Sequence, residues 1–303
     1  MYMTVMASKN WSRRIYETVR CQQDEKNEMT KENYKESFLK IKPELESYLF
    51  RLVTNVQDKE DIVQDTYLKV DKGFESFNQL SSFKTWVFAI ATNTAKNYLK
   101  KKSRWIENAQ DYGANLHVQS IEHWDKFHDV FNSTPERKYE IKEHINYCFN
   151  CINKTLELNQ QICLLLKEAY GFKMTEIISI TGLSEGVAKH ALADARKNMI
   201  RIFDNRCAFV NKNGTCHQCT ELTGILNKDQ ETHIKAKEIK MVKKGSSEDQ
   251  EYLFDLRLDL VRSIDPLNAQ NSIVNKYMLE NCEKWVEEGK NKKVLKKSSK
   301  MED

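Results

Sequence analysis

Between Glu75 and Glu107 the chain contains no acidic residue, and within that gap residues 81–104, SSFKTWVFAIATNTAKNYLKKKSR, run without a glycine or proline into a basic end. On a helix of about 3.6 residues per turn, Val87, Ile90, Ala91, Thr94, Ala95 and Tyr98 share one side and pack inward. Trp86, Asn93, Lys96, Asn97, Lys100 and Arg104 share the other. The stretch is therefore an amphipathic helix with one solvated face. It is not a membrane span, because no apolar run in the chain approaches the roughly 20 residues that crossing requires. The N-terminus also lacks a long apolar segment followed by a cleavage site. The chain is expected to be cytoplasmic, with no membrane insertion.

Ordinary solvated faces mix charges of both signs, whereas this one is only basic, through Lys84, Lys96, Lys100, Lys101, Lys102 and Arg104. A face of one sign suits phosphate contacts, and the amides of Asn93 and Asn97 both donate and accept hydrogen bonds, as reading a base edge demands. Phe77, Phe83, Trp86, Phe88, Tyr98 and Trp105 supply rings for stacking on unpaired bases. A solubilising helix whose rings belong to the core reads the same pattern without nucleic acid.

Helical period dominates elsewhere, and with three prolines and nine glycines in 303 residues an all-α fold is expected. One helix covers about Asn33 to Asn55, with Phe38, Ile41, Leu45, Tyr48, Leu49 and Leu52 inward and Pro43 marking a kink or a new start. A second starts near Lys59, buries Ile62, Val63, Thr66, Tyr67 and Val70, and stops near Gly73.

LNQQICLLLKEAYGFKMTEIISITGLSEGVAKHALADARKNMIRIF reads as three further helices. The first runs to Ala169 and stops at Gly171, the next is capped by Thr175, and the third is capped by Ser184 and extends to about Arg201. Two helices joined by the short turn TGLS match a helix-turn-helix, whose second helix enters the major groove. Lys189 and His190 point outward on that helix, with Arg196 and Lys197 further along. A helical hairpin within a bundle is the alternative.

The expected organisation is an N-terminal tail (1–30), a helical domain (31–106), a linker (107–137), a helix-turn-helix domain (138–206), and a Cys-containing loop with a lysine-rich helical extension (207–303). In the loop, Cys207, Cys216 and Cys219 form three-quarters of a zinc site without an obvious fourth ligand. His144, Cys148 and Cys151 share a helix face, but that face is also a core stripe. No cofactor is expected apart from this candidate zinc. In the extension, EDQEYLFDLRLDLVRSI has helical period.

Taken together, the two helical blocks resemble bacterial RNA polymerase sigma factors of the extracytoplasmic-function (ECF) group, over about Asn33 to Ile202. The resemblance implies a non-enzymatic subunit that binds core RNA polymerase and promoter DNA, with an anti-sigma factor as a further candidate partner. It places Asp61, Gln64 and Asp65 of DKEDIVQDTYLKVDKGFESF at the polymerase clamp. In the minus-ten segment it places a base-capturing loop before Phe83 and promoter contacts at Asn93 and Asn97. Phosphate contacts fall to Lys96, Lys100 and Arg104, with Lys84, Trp86 and Lys101 beside them. Thr175, Ser184, Lys189, His190, Arg196 and Lys197 would serve the minus-thirty-five element. Ala191 and Asp194 depart from the family, which commonly has a basic residue there. A helix-turn-helix regulator acting without polymerase, and a thiol- or zinc-responsive DNA-binding sensor, remain the alternative functions.

Overall fold

The computed structural model describes residues 30, 33–102, 105, 125, 129, 141–206, 250–268, 273 and 275–281. Arg104, Cys207, Cys216 and Cys219 lie outside the described residues, as do nearly all of the expected tail and linker. The elements are α1 (Tyr34–Val53), α2 (Val56–Gly73), α3 (Phe83–Leu99), α4 (Ile141–Asn153), α5 (Leu158–Leu164), α6 (Met174–Thr181), α7 (Glu185–Arg206) and α8 (Gln250–Ser263). The fold is all-α, and the described residues include no strand.

The first helical block forms because three amphipathic helices close on one another. Leu45, Tyr48, Leu49 and Leu52 of α1 meet Ile62, Val63 and Val70 of α2 and Val87, Ala91 and Ala95 of α3, all buried. Local capping sets the helix starts: the Asn55 side chain accepts from Asp58 N at 2.9 Å, and Ser82 Oγ accepts from Thr85 N at 3.1 Å. Pro43 lies inside α1, which continues through it as one helix from Tyr34 to Val53, so the helix does not start anew there. Across the far ends of α1 and α2, Tyr34 stacks on Phe74 with centroids 4.5 Å apart, and its hydroxyl donates to Asp71.

In the second block, α5 continues into a π-helical turn, Leu165–Ala169, before the chain reverses at Gly171, whose φ is +68°. The N-cap of α6 is Lys173, not Thr175. Glu176 reaches back to accept from Lys173 N at 2.7 Å, so Thr175 is the second residue of the helix. Gly182, also at φ +68°, ends α6 by donating to Ile178 O at 2.9 Å. Ser184 then starts α7, its Oγ accepting from Val187 N at 3.4 Å. Ala188, Ala195 and Met199 of α7 are fully buried, which fixes the angle between the two helices of the helix-turn-helix.

The two blocks share one core. Helix α6 packs on α3, and α8 packs on α4, α7 and the π-helical turn. As a result α3 is buried on two sides. Thr85, Phe88 and Thr92 are as inaccessible as Val87 and Ala91, although the sequence period indicates one inward face.

Candidate nucleic-acid interface

Helix α3 is held at its start by an aromatic cluster. Phe77 stacks on Trp86 at 4.8 Å, and Phe83 lies 5.9 Å from Phe77 and 6.0 Å from Trp86. The loop before it carries Gln79 at φ +56° and Leu80, which is 87% exposed beside this cluster. An apolar side chain so exposed on a loop beside rings suits contact with an unstacked base. The resemblance points to this loop before Phe83 as base-capturing without singling out either residue.

Along α3, Asn93, Asn97 and Lys100 are exposed, and Lys101 just beyond its end is exposed too. Trp86, Lys84 and Lys96 are half-buried. Lys84 reaches Glu44 Oε1 at 2.6 Å and lies 4.9 Å from the centre of the Phe172 ring. Lys96 donates to Thr181 O, the last residue of α6, at 2.9 Å, and burial lowers its pKa from the ordinary lysine value. The basic face thus divides: Lys100 and Lys101 face solvent, while Lys84 and Lys96 are engaged within the chain.

Asp61, Gln64 and Asp65 all lie exposed on α2, with Gln57 Nε2 donating to Asp61 Oδ1 at 3.0 Å. Of the three, Gln64 lines a largely apolar groove between α1 and α2, with Phe38, Leu39, Val63 and Tyr67 and, among its charged members, Lys35 and Glu60. Leu39 is 63% exposed there, and Leu68 is exposed on the same helix as the acidic residues. These two leucines were absent from the sequence-based candidates because a solvent-facing leucine breaks no helical pattern.

On the helix-turn-helix, Thr175, Ser184, His190 and Lys197 are exposed, as is Lys189, which pairs with Glu185 at 2.6 Å. Val187 joins them at the start of α7, half exposed. Ala191 packs against the core, and Asp194 is exposed. Arg196 does not project freely. Its guanidinium bonds Glu168 at 2.8 Å, Glu251 at 2.8 Å and Asp255 at 2.9 Å, and lies over the Phe254 ring. Burial works against its charge, but the three carboxylates prevail and hold it above the ordinary arginine value.

Among the described residues no cluster of His, Cys, Asp or Glu has the arrangement of a metal site. Cys151 is buried and Cys148 partly so, in keeping with a core stripe, and burial pushes the Cys163 thiol up to about 11 despite the nearby Lys96. No helix among the described residues is long and apolar enough to cross a membrane.

Residues 38–105 match the family described as Sigma-70 region 2. Over 147 residues the chain is 28% identical to the ECF RNA polymerase sigma-E factor of Haemophilus influenzae, an overlap of 46% of this chain and 71% of that protein. To the sigma-E factor of Escherichia coli K12 it is 29% identical over 140 residues, with the same shares covered. To the ECF sigma factor SigG of Mycobacterium tuberculosis it is 26% identical over 165 residues, 52% of this chain and 45% of that protein. Among solved structures, the sigma factor RpoE in complex with the anti-sigma factor NepR from Bartonella quintana is similar at a TM-score of 0.40 and 20% identity. That overlap covers 57% of this chain and 97% of the other.

Proposed function

We infer that this chain, a relative of the ECF sigma factors that carries a sigma-70 region 2 at residues 38–105, is a promoter-specificity subunit for RNA polymerase. On this reading it binds core polymerase through α2 and the adjoining apolar groove, and its helix-turn-helix addresses upstream duplex DNA. The segment from Leu80 to Lys101 then opens the start region. The observation that carries the reading is the coincidence, inside the matched region, of an acid-free helix with exposed Asn93, Asn97 and Lys100 and an exposed Leu80 beside a ring cluster.

The energetics are suited to opening without a fuel molecule. Extruding a base costs a few kcal/mol, and stacking an unpaired base on an aromatic group returns about 1–3 kcal/mol. Lysines along the same edge add phosphate contacts that weaken with salt. Polymerase docking separates from DNA handling because Asp61, Gln64 and Asp65 lie on α2 and the asparagines on α3.

Run-off transcription with purified core polymerase tests the reading. The chain should confer initiation on promoters that core polymerase alone leaves silent. Trp86→Ala with Asn93→Ala should reduce permanganate-reactive open complex by at least about tenfold while leaving polymerase binding within about twofold, a stacking contact and a base contact being removed together. Unchanged open complex in that variant would remove α3 from the melting role, and the absence of polymerase-dependent initiation from any promoter would overturn the function.

A further inference from the structure

We propose that residues 250–268 and 275–281 form an intramolecular clasp that holds the helix-turn-helix against α3 and occupies Arg196 with carboxylates in place of DNA phosphates. The proposal rests on the DNA-binding part of the function inferred above.

The two blocks meet directly over the DNA-handling helix. Phe88 of α3 packs against Phe172 with centroids 4.9 Å apart, and Tyr48 of α1 meets Tyr170 edge-on at 5.5 Å. Ser47 and Tyr170 share a hydrogen bond of 2.9 Å, and Thr85 lies 3.4 Å from Glu176. Lys84 and Lys96 are drawn into the same junction. In this arrangement α6 covers one flank of α3, and the chain itself engages two of the lysines expected on phosphates.

The extension ties both blocks together. Phe254, Leu258 and Val261 of α8 are fully buried in the shared core. Toward the first block, Arg51 of α1 donates to Val261 O at 3.0 Å and Ile264 O at 2.7 Å, and Glu280 accepts from Val56 N, at the start of α2, at 3.0 Å. Toward the second block, Arg262 donates to the backbone and the carboxylate of Glu168, and Glu251 and Asp255 close on Arg196. The segment therefore spans the junction rather than decorating one side of it.

The chemistry of the Arg196 site makes the contact a competitive one. A guanidinium takes carboxylate and phosphate with the same planar fork of donors. Glu251 and Asp255 stand one helical turn apart on α8 and present their oxygens to Arg196 NH2 together. An arginine so held cannot also bind the backbone of a duplex lying along α7. By linkage, a duplex that draws Arg196 away must loosen α8, and loosening α8 must strengthen duplex binding by the same factor. Both carboxylate side chains are more than half exposed, so neutralising them leaves the core intact.

The test uses the full-length chain with Glu251→Gln and Asp255→Asn, beside a charge-matched control, Glu36→Gln and Glu157→Gln, whose carboxylates are exposed and lie outside the clasp residues. In hydrogen exchange of the free protein, residues 83–99 and 174–181 should exchange about fivefold faster in the clasp variant than in the control. Affinity for a fluorescein-labelled mixed-sequence duplex should rise about three- to fivefold beyond any gain in the control. In the unaltered protein, saturating duplex should speed exchange across residues 250–263. Exchange in 83–99 that matches the control, an affinity gain no larger than the control's, or duplex that leaves 250–263 protected would each overturn the clasp. Polymerase-dependent transcription is read separately. A clasp that opens in a chain unable to direct polymerase leaves the clasp standing and removes the sigma role, and the converse result removes only the clasp.

Discussion

Replacing Arg51 by Met tests the shared core at its most concentrated polar contact. Arg51 is 2% exposed, and its guanidinium donates to Asn146 Oδ1 at 2.5 Å, Asn150 Oδ1 at 3.0 Å, Val261 O at 3.0 Å and Ile264 O at 2.7 Å. All four acceptors are neutral, and two are carbonyls at the end of α8, where the helix dipole is negative. Methionine fills the space of the aliphatic stem but leaves the four acceptors without this donor, at about 1–3 kcal/mol for each that stays buried and unpaired. Against that stands the desolvation of the buried charge, several kcal/mol, which the variant no longer bears. The balance is an expected net loss of about 3 kcal/mol, the four unpaired acceptors outweighing the relieved desolvation. With a urea slope of about 3 kcal/mol per molar, the unfolding midpoint followed by far-ultraviolet circular dichroism should fall by about 1 M. Arg51→Lys, which keeps the charge but has three donors in place of five, should fall between the two. A Met variant as stable as the parent, or more so, would show that the buried charge is a net burden and refute this account of how α1, α4 and α8 are joined.

Two further outcomes follow from the geometry. The hydrogen bond to the Asp71 carboxylate, with burial, pushes the Tyr34 hydroxyl up to about 12, and burial does the same to Tyr170. A raised pKa means that the folded state holds its proton longer than the unfolded chain. The stabilisation is therefore complete below the ordinary tyrosine value of about 10 and is lost as pH rises from there through about 12. Urea midpoints should fall across that window, less steeply in Tyr34→Phe, and native tyrosines that all titrate near 10 at 295 nm would contradict it. Gly182→Ala places a side chain at φ +68° with no atom within 4 Å, so only backbone strain opposes it. The loss of stability should be about 1–2 kcal/mol, and a loss beyond about 3 kcal/mol would show that the turn between α6 and α7 is more crowded than its geometry indicates.

Helical period located most of this fold because burial against any neighbour leaves the same spacing. Of the residues read as inward on α3, Val87, Ala91, Thr94 and Ala95 are buried while Ile90 and Tyr98 are half-buried. Of the periodic set in the extension, Leu253, Leu258 and Val261 are buried while Leu256, Leu260 and Ile264 are half-buried. Period does not say how many neighbours a helix has. Thr85 meets Glu176 and Phe88 meets Phe172, more than 80 positions away, and neither stretch carries a mark of the other. Pro43 does not end α1: it removes one backbone donor, and the packing of α1 on α2 and α3 outweighs that loss. Arg196 was legible as a cation on the second helix of a helix-turn-helix pattern. Its partners, 28, 55 and 59 positions distant, were not, since two of them are ordinary solvent-facing acids of an amphipathic extension.

The acid-free stretch from Glu75 to Glu107 links these observations. A helix without carboxylates cannot pair its lysines internally at i and i+4, so those not left to solvent find oxygen on other elements. Lys84 finds it in Glu44 of α1, Lys102 in Asp58 of α2, and Lys96 in the Thr181 carbonyl of α6. The first two pairs are partly exposed, with Lys84 and Glu44 each at 36%, and pairs so placed contribute at most about 1 kcal/mol. A duplex or an open strand offers the same lysines phosphates and releases condensed counterions as it does so. Exchanging an internal oxygen for a phosphate is therefore nearly free for Lys84 and Lys102. For Lys96 it also returns a half-buried charge to a wetter setting, which relieves the desolvation that lowers its pKa. The basic face proposed to handle DNA is thus also the face that joins α3 to the rest of the chain, through carboxylates at Lys84 and Lys102 and a carbonyl at Lys96.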